Sequence, residues 1–324
     1  MKNIGNFDQQ HLQELENIEF QPIFILGLHR SGTSILYKML TATQCFNPLT
    51  AYHIIKYDQL LHNYINNKEK DVKNKLTNFF KEQGQVDRGI DRLQLTANFA
   101  EEYGFLLKQK TFHTYLTSKN LLLFTEMAKK VQYISNNDKP LLLKNPYDFS
   151  NFLYIKQMFP NAKFIFIHRH PLNSLNSTIK AIRFLLKHKN PYTAQLSRFY
   201  NNIFENPLLL YPIRFLFTAG SPFSMILLTM LSAKATKYYL KNIKKLQKND
   251  YISIKYEDLC KNPQETVENI MRVLDIKIRN DIDFKTFIKP RKTKLDVSVI
   301  KLQNFIFKRM KTYFESFGYT LEKQ

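Results

Sequence analysis

The chain has no tryptophan, only two cysteines, and few acids for its bases. Cys45 and Cys260 show neither a CxxC spacing nor a histidine at ligand spacing, so neither a disulfide framework nor a zinc site is indicated. Two reduced thiols in the cytoplasm are the expectation. Residues 1–21 are polar and contain no apolar core segment, so no signal peptide is expected there. Asp and Glu number 27 against 48 Lys and Arg, a formal net charge of +21. Such an excess favours anionic partners: nucleotides, nucleic acid, anionic lipid or acidic glycans. A Lys- and Asn-rich composition on solvated helix faces explains the same total, and a sum does not choose between them. A membrane span is missing too, since it needs about twenty apolar residues in one helix. Residues 206–233 are strongly apolar, but Pro212, Arg214, Gly220 and Pro222 break them into two short pieces. A buried helical hairpin is the expectation. Basic flanks (Arg183, Lys187 and Lys189 before; Lys234, Lys237, Lys241 and Lys244 after) keep a peripheral membrane contact as the alternative.

What is present is organised around Pro22–Leu40. An apolar run, Ile23 to Leu26, leads into Gly27-Leu-His-Arg-Ser-Gly32 and then Thr33-Ser34 with an amphipathic segment. This reads as a buried strand, a tight loop and a helix start. Backbone N–H groups and the positive end of the helix dipole then converge on one point, where a phosphate fits. Further strands are expected in the run 140–146 and at 163–168 and 251–256, with a short alternation at 93–96 as another candidate; helices are expected at 119–134, 149–158 and 264–274. Residues 52–82 read as helices outside the sheet, and 41–48 as a turn-rich connection. Strands alternating with helices predict an α/β fold, a three-layer parallel sheet flanked by helices. One domain over 1–324 is expected. Its core covers about 22–275, with helical insertions at about 50–85 and 180–245 and a C-terminal helical segment over 276–324. Ligands in such sheets sit beyond the carboxyl ends of the strands, where Gly27, Lys144, Arg169 and Glu257 fall.

Gly27 and Gly32 have the spacing of the ATP/GTP P-loop, G-x-x-x-x-G-K-[ST], but Thr33 stands where its lysine belongs. The cation lies inside the loop, at Arg30. That suits a nucleotide with one 5′-phosphate and a charged group beyond it better than it suits ATP. Arg169 closes a strand and Ser177 follows eight residues later at a helix start, a pair able to grip a second phosphate; a plain turn and a helix cap are the alternatives. A P-loop kinase or NTPase also needs a magnesium-binding Asp at a strand end, where the chain offers Lys144-Asn145. A basic nucleic-acid-binding protein is suggested by charge alone, and no recognition-helix, zinc or RNA-binding aromatic signature is present, so no specific nucleic-acid partner is expected.

With these residues in hand, Pro22–Leu40 resembles the 5′-phosphosulfate loop of sulfotransferases that use 3′-phosphoadenosine 5′-phosphosulfate (PAPS). Phe164–Ser177 is similar to their 3′-phosphate segment, with Arg169 and Ser177 on the family's Arg and Ser. Leu141–Pro146 with Phe159–Phe164, Tyr256–Leu259 with Asn262-Pro263, and Asp87–Leu106 are similar to the bacterial branch. The resemblance implies a P-loop NTPase-like fold and transfer of a sulfonyl group from PAPS, the nucleotide co-substrate, to a hydroxyl or amine of a glycan, lipid or small metabolite. It implies no metal. Arg30, Ser31, Gly32, Thr33 and Ser34 would hold the 5′-phosphate, and Arg169 and Ser177 the 3′-phosphate. For the general base, Glu101 ranks first and Glu102 second, from the family's acidic segment; a solvated acidic helix start is the alternative. Lys144 would assist at the sulfonyl group, and His29 would be a second base or a plain loop residue. Departures from the family pattern are Leu28-His29 before Arg30, Gly89 after Arg88, a lost Pro in Phe99–Tyr103, and Asp148 where some relatives carry His. The expected location is cytoplasmic, with membrane-peripheral contact as the variant.

Overall fold

The computed structural model describes residues 6–84, 87, 94–278, 280–288 and 294–321. Its centre is β1 (Pro22–Leu26), whose five residues are all buried. The other strands are β2 (Asn47–Pro48), β3 (Leu141–Lys144), β4 (Lys163–His168) and β5 (Tyr251–Lys255). They form one sheet in the order β2-β3-β1-β4-β5, parallel throughout. Ile23 lies opposite both Leu142 and Lys163. Strands covered on both faces must be apolar on both, which is why β1, β3 and β4 read as continuous apolar runs.

Alternate side chains of β1 enter two separate cores. Phe24 and Leu26 join Leu141, Leu143, Phe164 and Phe166 on one face. There the helix Leu121–Ser135 adds Phe124, Met127 and Val131. Ile23 and Ile25 join Leu142, Ile165, Ile167 and Ile254 on the other. The helices Thr33–Ala42 and Pro263–Leu274 close that side with Leu36, Leu40, Val267 and Ile270. Each such side chain contributes about 1.5–3 kcal/mol of burial. The result is helix, sheet, helix. A third cluster packs the helix Pro171–Lys187 against Met225 and the C-terminal helix Gln303–Phe317.

After β1 the chain turns to β2 and β3 on one side and later to β4 and β5 on the other. The carboxyl end of β1 is therefore the switch point, where loops from both sides open a crevice. Three expectations are corrected. Asn47–Pro48, expected as connection only, adds an edge strand because Asn47 N–H donates to Pro140 O (2.9 Å) and Asn47 Nδ2 donates to Lys139 O (2.9 Å). Residues 94–96 add no strand to the sheet; Gln94 makes an isolated bridge to Asp87, and 88–93, with Gly89 and Leu93, lie outside the described residues. The third is the stretch 206–233. It forms the helices Pro207–Leu216 and Pro222–Asn242, but Leu208 is 84% exposed, Phe215 78% and Phe223 69%. These helices are apolar on more than one face, and one packed face cannot bury them. Among the described residues, no helix is long and apolar enough to cross a membrane.

Candidate active site

The loop between β1 and the helix Thr33–Ala42 is shaped by two close approaches. A Cβ on Gly27 would lie 2.5 Å from the Ile167 carbonyl oxygen, and one on Gly32 would lie 2.3 Å from the Tyr256 ring. Gly32 also has φ of 105°, a conformation glycine alone adopts freely. Arg30 sits left-handed at φ of 66°. The helix begins with no side-chain cap and no acid in its first turn. Its first N–H groups therefore have no intrahelical partner and meet no local negative charge. Ser31 is buried and its Oγ has no hydrogen-bond partner among the described residues.

The β4 loop meets this cradle directly. Arg30 Nε donates to Ser177 Oγ (3.1 Å), joining residues 147 apart. Arg169 Nη1 donates to the Arg30 carbonyl (2.9 Å), while its guanidinium stacks over Tyr256 at 4.3 Å. Pro171 opens the helix that carries Ser177, where proline's missing N–H is harmless. Glu257 braces the turn from behind, accepting from His170 N–H (3.0 Å) and Tyr319 OH (3.0 Å). Glu257 is thus a brace of the β4 turn.

From β3 comes Lys144. Its side chain is fully buried, and a buried ammonium requires partners. Nζ donates to Ser34 Oγ (3.1 Å) and lies 3.6 Å from Glu102 Oε1. Glu102 keeps 13% of its side chain open. Its charge acts on His29 and Tyr147, whose rings meet edge-to-face at 4.6 Å. Desolvation of the His29 ring lowers its pKa, Glu102 raises it, and Arg30 and Lys144 lower it further. Desolvation and then Glu102 push the Tyr147 phenol up to about 12, although the residue as a whole is 46% exposed.

The two carboxylates expected as first and second candidates for the base face different ways. Glu101 is 0% exposed and held by Tyr192 OH, and its Oε1 accepts the Glu102 N–H (3.0 Å). Glu101 points into the packing beside Tyr192, whereas Glu102 turns to Lys144 and the cradle. Arg30, Ser31, Gly32, Thr33, Ser34, Arg169, Ser177, Lys144 and Glu102 are thus gathered at one crevice, with Glu101 just behind it.

Two contributors had been given no role on sequence grounds. Tyr256 supports both Gly32 and Arg169, across a span that no local pattern reports. Asp148 is buried and accepts from Tyr103 OH (2.6 Å), Asn145 Nδ2 (2.7 Å), Asn151 Nδ2 (2.7 Å) and Leu116 N–H (3.1 Å). Burial raises its pKa against those four donors. It ties the loop after β3 to residues 114–116 and does not face the cradle.

A family model described as "Sulfotransferase family" matches residues 22–216, more than half of the chain. Among solved structures, the chain is similar to the sulfotransferase STF1 of Mycobacterium tuberculosis, with a TM-score of 0.61 and 13% identity over 94% of this chain and 80% of that one. It is also similar to the sulfotransferase STF9 of Mycobacterium avium, with a TM-score of 0.58 and 13% identity over 98% and 82%. At such identity these two likenesses establish the fold alone. No curated protein matches. The family match, carried on a parallel α/β sheet whose switch point gathers the cradle residues, shows that the chain belongs to the sulfotransferase family and is a transferase of that type.

Proposed function

We propose that the protein transfers a sulfonyl group from PAPS to an acceptor hydroxyl or amine. The observation that carries this reading is the Arg30–Ser177 hydrogen bond, which unites a 5′-phosphate cradle with a second anion-binding loop. PAPS needs both, because it carries phosphate at the 5′ and the 3′ positions. The Ser31 Oγ, without a partner among the described residues, the uncapped helix start, and two cations within reach of the loop fit a bound phosphate.

Each residue then has a role. Arg30 and the backbone of Ser31 to Ser34 hold the 5′-phosphate and meet the charge that develops on the bridging oxygen as its bond to sulfur breaks. Lys144, steered by Ser34, neutralises charge on the sulfonyl oxygens. Arg169 and Ser177 hold the 3′-phosphate. Glu102 takes the acceptor's proton as the new bond from acceptor oxygen or nitrogen to sulfur forms. The work is positioning and fixed charge. The acceptor is a glycan, a lipid or a small molecule.

The test uses sulfur-labelled PAPS with a mixed lipid and glycan extract. Wild type should label one class. Glu102→Gln should lose turnover by at least about a hundredfold while binding adenosine 3′,5′-bisphosphate unchanged. Retained turnover would remove Glu102 as base, and labelling by neither protein would refute the transfer itself.

A further inference from the structure

We propose that the two apolar helices seat this protein on an anionic lipid bilayer. The inference stands apart from the transfer chemistry and rests on an outward face. On the helix Pro207–Leu216, Leu208, Tyr211 and Phe215 are exposed at spacings of three and four, hence on one side. On the helix Pro222–Asn242 the exposed apolar positions are Phe223, Ile226, Leu227, Met230 and Leu231, again one stripe. The inward positions of that helix, Met225 and Tyr239 beside Ser224 and Thr229, are already packed, so the outward apolar stripe is surplus to the fold. A face of this kind marks an interaction site.

Charge selects the occupant. The line Phe223, Leu227, Met230 continues along the same side into Lys234, Lys237 and Lys241, all exposed. The apolar part runs for about 12 Å before the first lysine, a depth suited to the boundary between headgroups and acyl chains. At the root of the two helices a cavity of about 300 Å³ is lined by Arg183, Leu186, Lys187, Arg214 and Phe217. Residues 180–245 hold eleven Lys and Arg but a single acid, Glu205, which lies 3.5 Å from Lys189. Asp296, the acid from outside the segment, is paired with Arg183. An apolar tip with a basic collar and almost no negative charge matches an anionic membrane surface. A second copy of the chain would have to place one basic collar against another.

The chain's lack of tryptophan supplies the reporter. Phe215→Trp places a single indole on the tip. With vesicles of phosphatidylcholine and phosphatidylserine its emission should move to shorter wavelength and the protein should float with the vesicles; pure phosphatidylcholine should bind weakly. Leu208→Ser/Phe215→Ser/Phe223→Ser should reduce flotation by at least about tenfold, with circular dichroism and melting unchanged because all three side chains are exposed. Lys234→Glu/Lys237→Glu, which leaves the apolar tip intact, should reduce binding by more than about tenfold. Three results would overturn the proposal: no flotation of wild type, equal binding to neutral vesicles, or a wild-type dimer in light scattering that the triple serine variant dissolves.

Discussion

Gly32→Ala tests how the cradle is built. The substitution meets two separate penalties. An alanine at φ of 105° lies outside the regions open to L-residues, at about 1–3 kcal/mol. Its methyl would also lie 2.3 Å from Tyr256 Cδ2 and 2.8 Å from Cε2. The ring must move, and overpacking costs about 1–3 kcal/mol. Together these come to about 2–6 kcal/mol, a large share of the ~5–15 kcal/mol stability of an ordinary domain. Tyr256 cannot move alone, because Arg169 stacks on it at 4.3 Å and bonds the Arg30 carbonyl. Urea denaturation should therefore show the loss in stability, and calorimetry with adenosine 3′,5′-bisphosphate should show weaker binding. Gly32→Ala/Tyr256→Ala should recover part of the stability, since it removes the clash but keeps the backbone strain. Wild-type stability and affinity in Gly32→Ala would refute the account of this loop.

Two further outcomes concern the fold. His168 is fully buried, with its ring stacked on Phe317 at 3.9 Å, and burial lowers its pKa to about 3. The unfolded chain titrates near 6.5, so below that pH it binds a proton that the folded protein refuses. Stability from this group is full above about 6.5 and falls as pH drops toward about 3, by about 1.4 kcal/mol per unit. His168→Gln should flatten that acid limb in pH-dependent urea denaturation, and an unchanged slope would contradict it. Lys130 is buried between Asp8 (3.0 Å) and Glu126 (2.9 Å), and Asp8 is buried as well. Lys130→Met should cost about 3–5 kcal/mol by leaving the Asp8 charge unpaired. Adding Asp8→Leu should restore much of it, which denaturation of both variants checks.

The sheet was readable where burial on both faces forces apolar runs, as in Ile23–Leu26 and Phe164–Ile167. The two-residue strand Asn47–Pro48 was not, because no period exists over two positions and its bonds come from residues 139–142. The cradle was readable because its loop is local in sequence. Which of Glu101 and Glu102 faces the cradle was not, because neighbouring residues outside regular structure turn opposite ways, and Tyr192, which holds Glu101, lies 91 positions away. Composition marked residues 206–233 as apolar, but burial depends on what the rest of the chain places over them. Here the helix Pro171–Lys187 and its neighbours cover only the inward side.

The central claim is that one crevice holds two phosphates of one nucleotide, and calorimetric titration addresses it most directly. Adenosine 3′,5′-bisphosphate should bind wild type at least about tenfold tighter than adenosine 5′-monophosphate, a difference of about 1.4 kcal/mol or more. Arg169→Ala should bring the two ligands together in affinity. Equal affinities for wild type, or an advantage that survives Arg169→Ala undiminished, would contradict the paired-phosphate site.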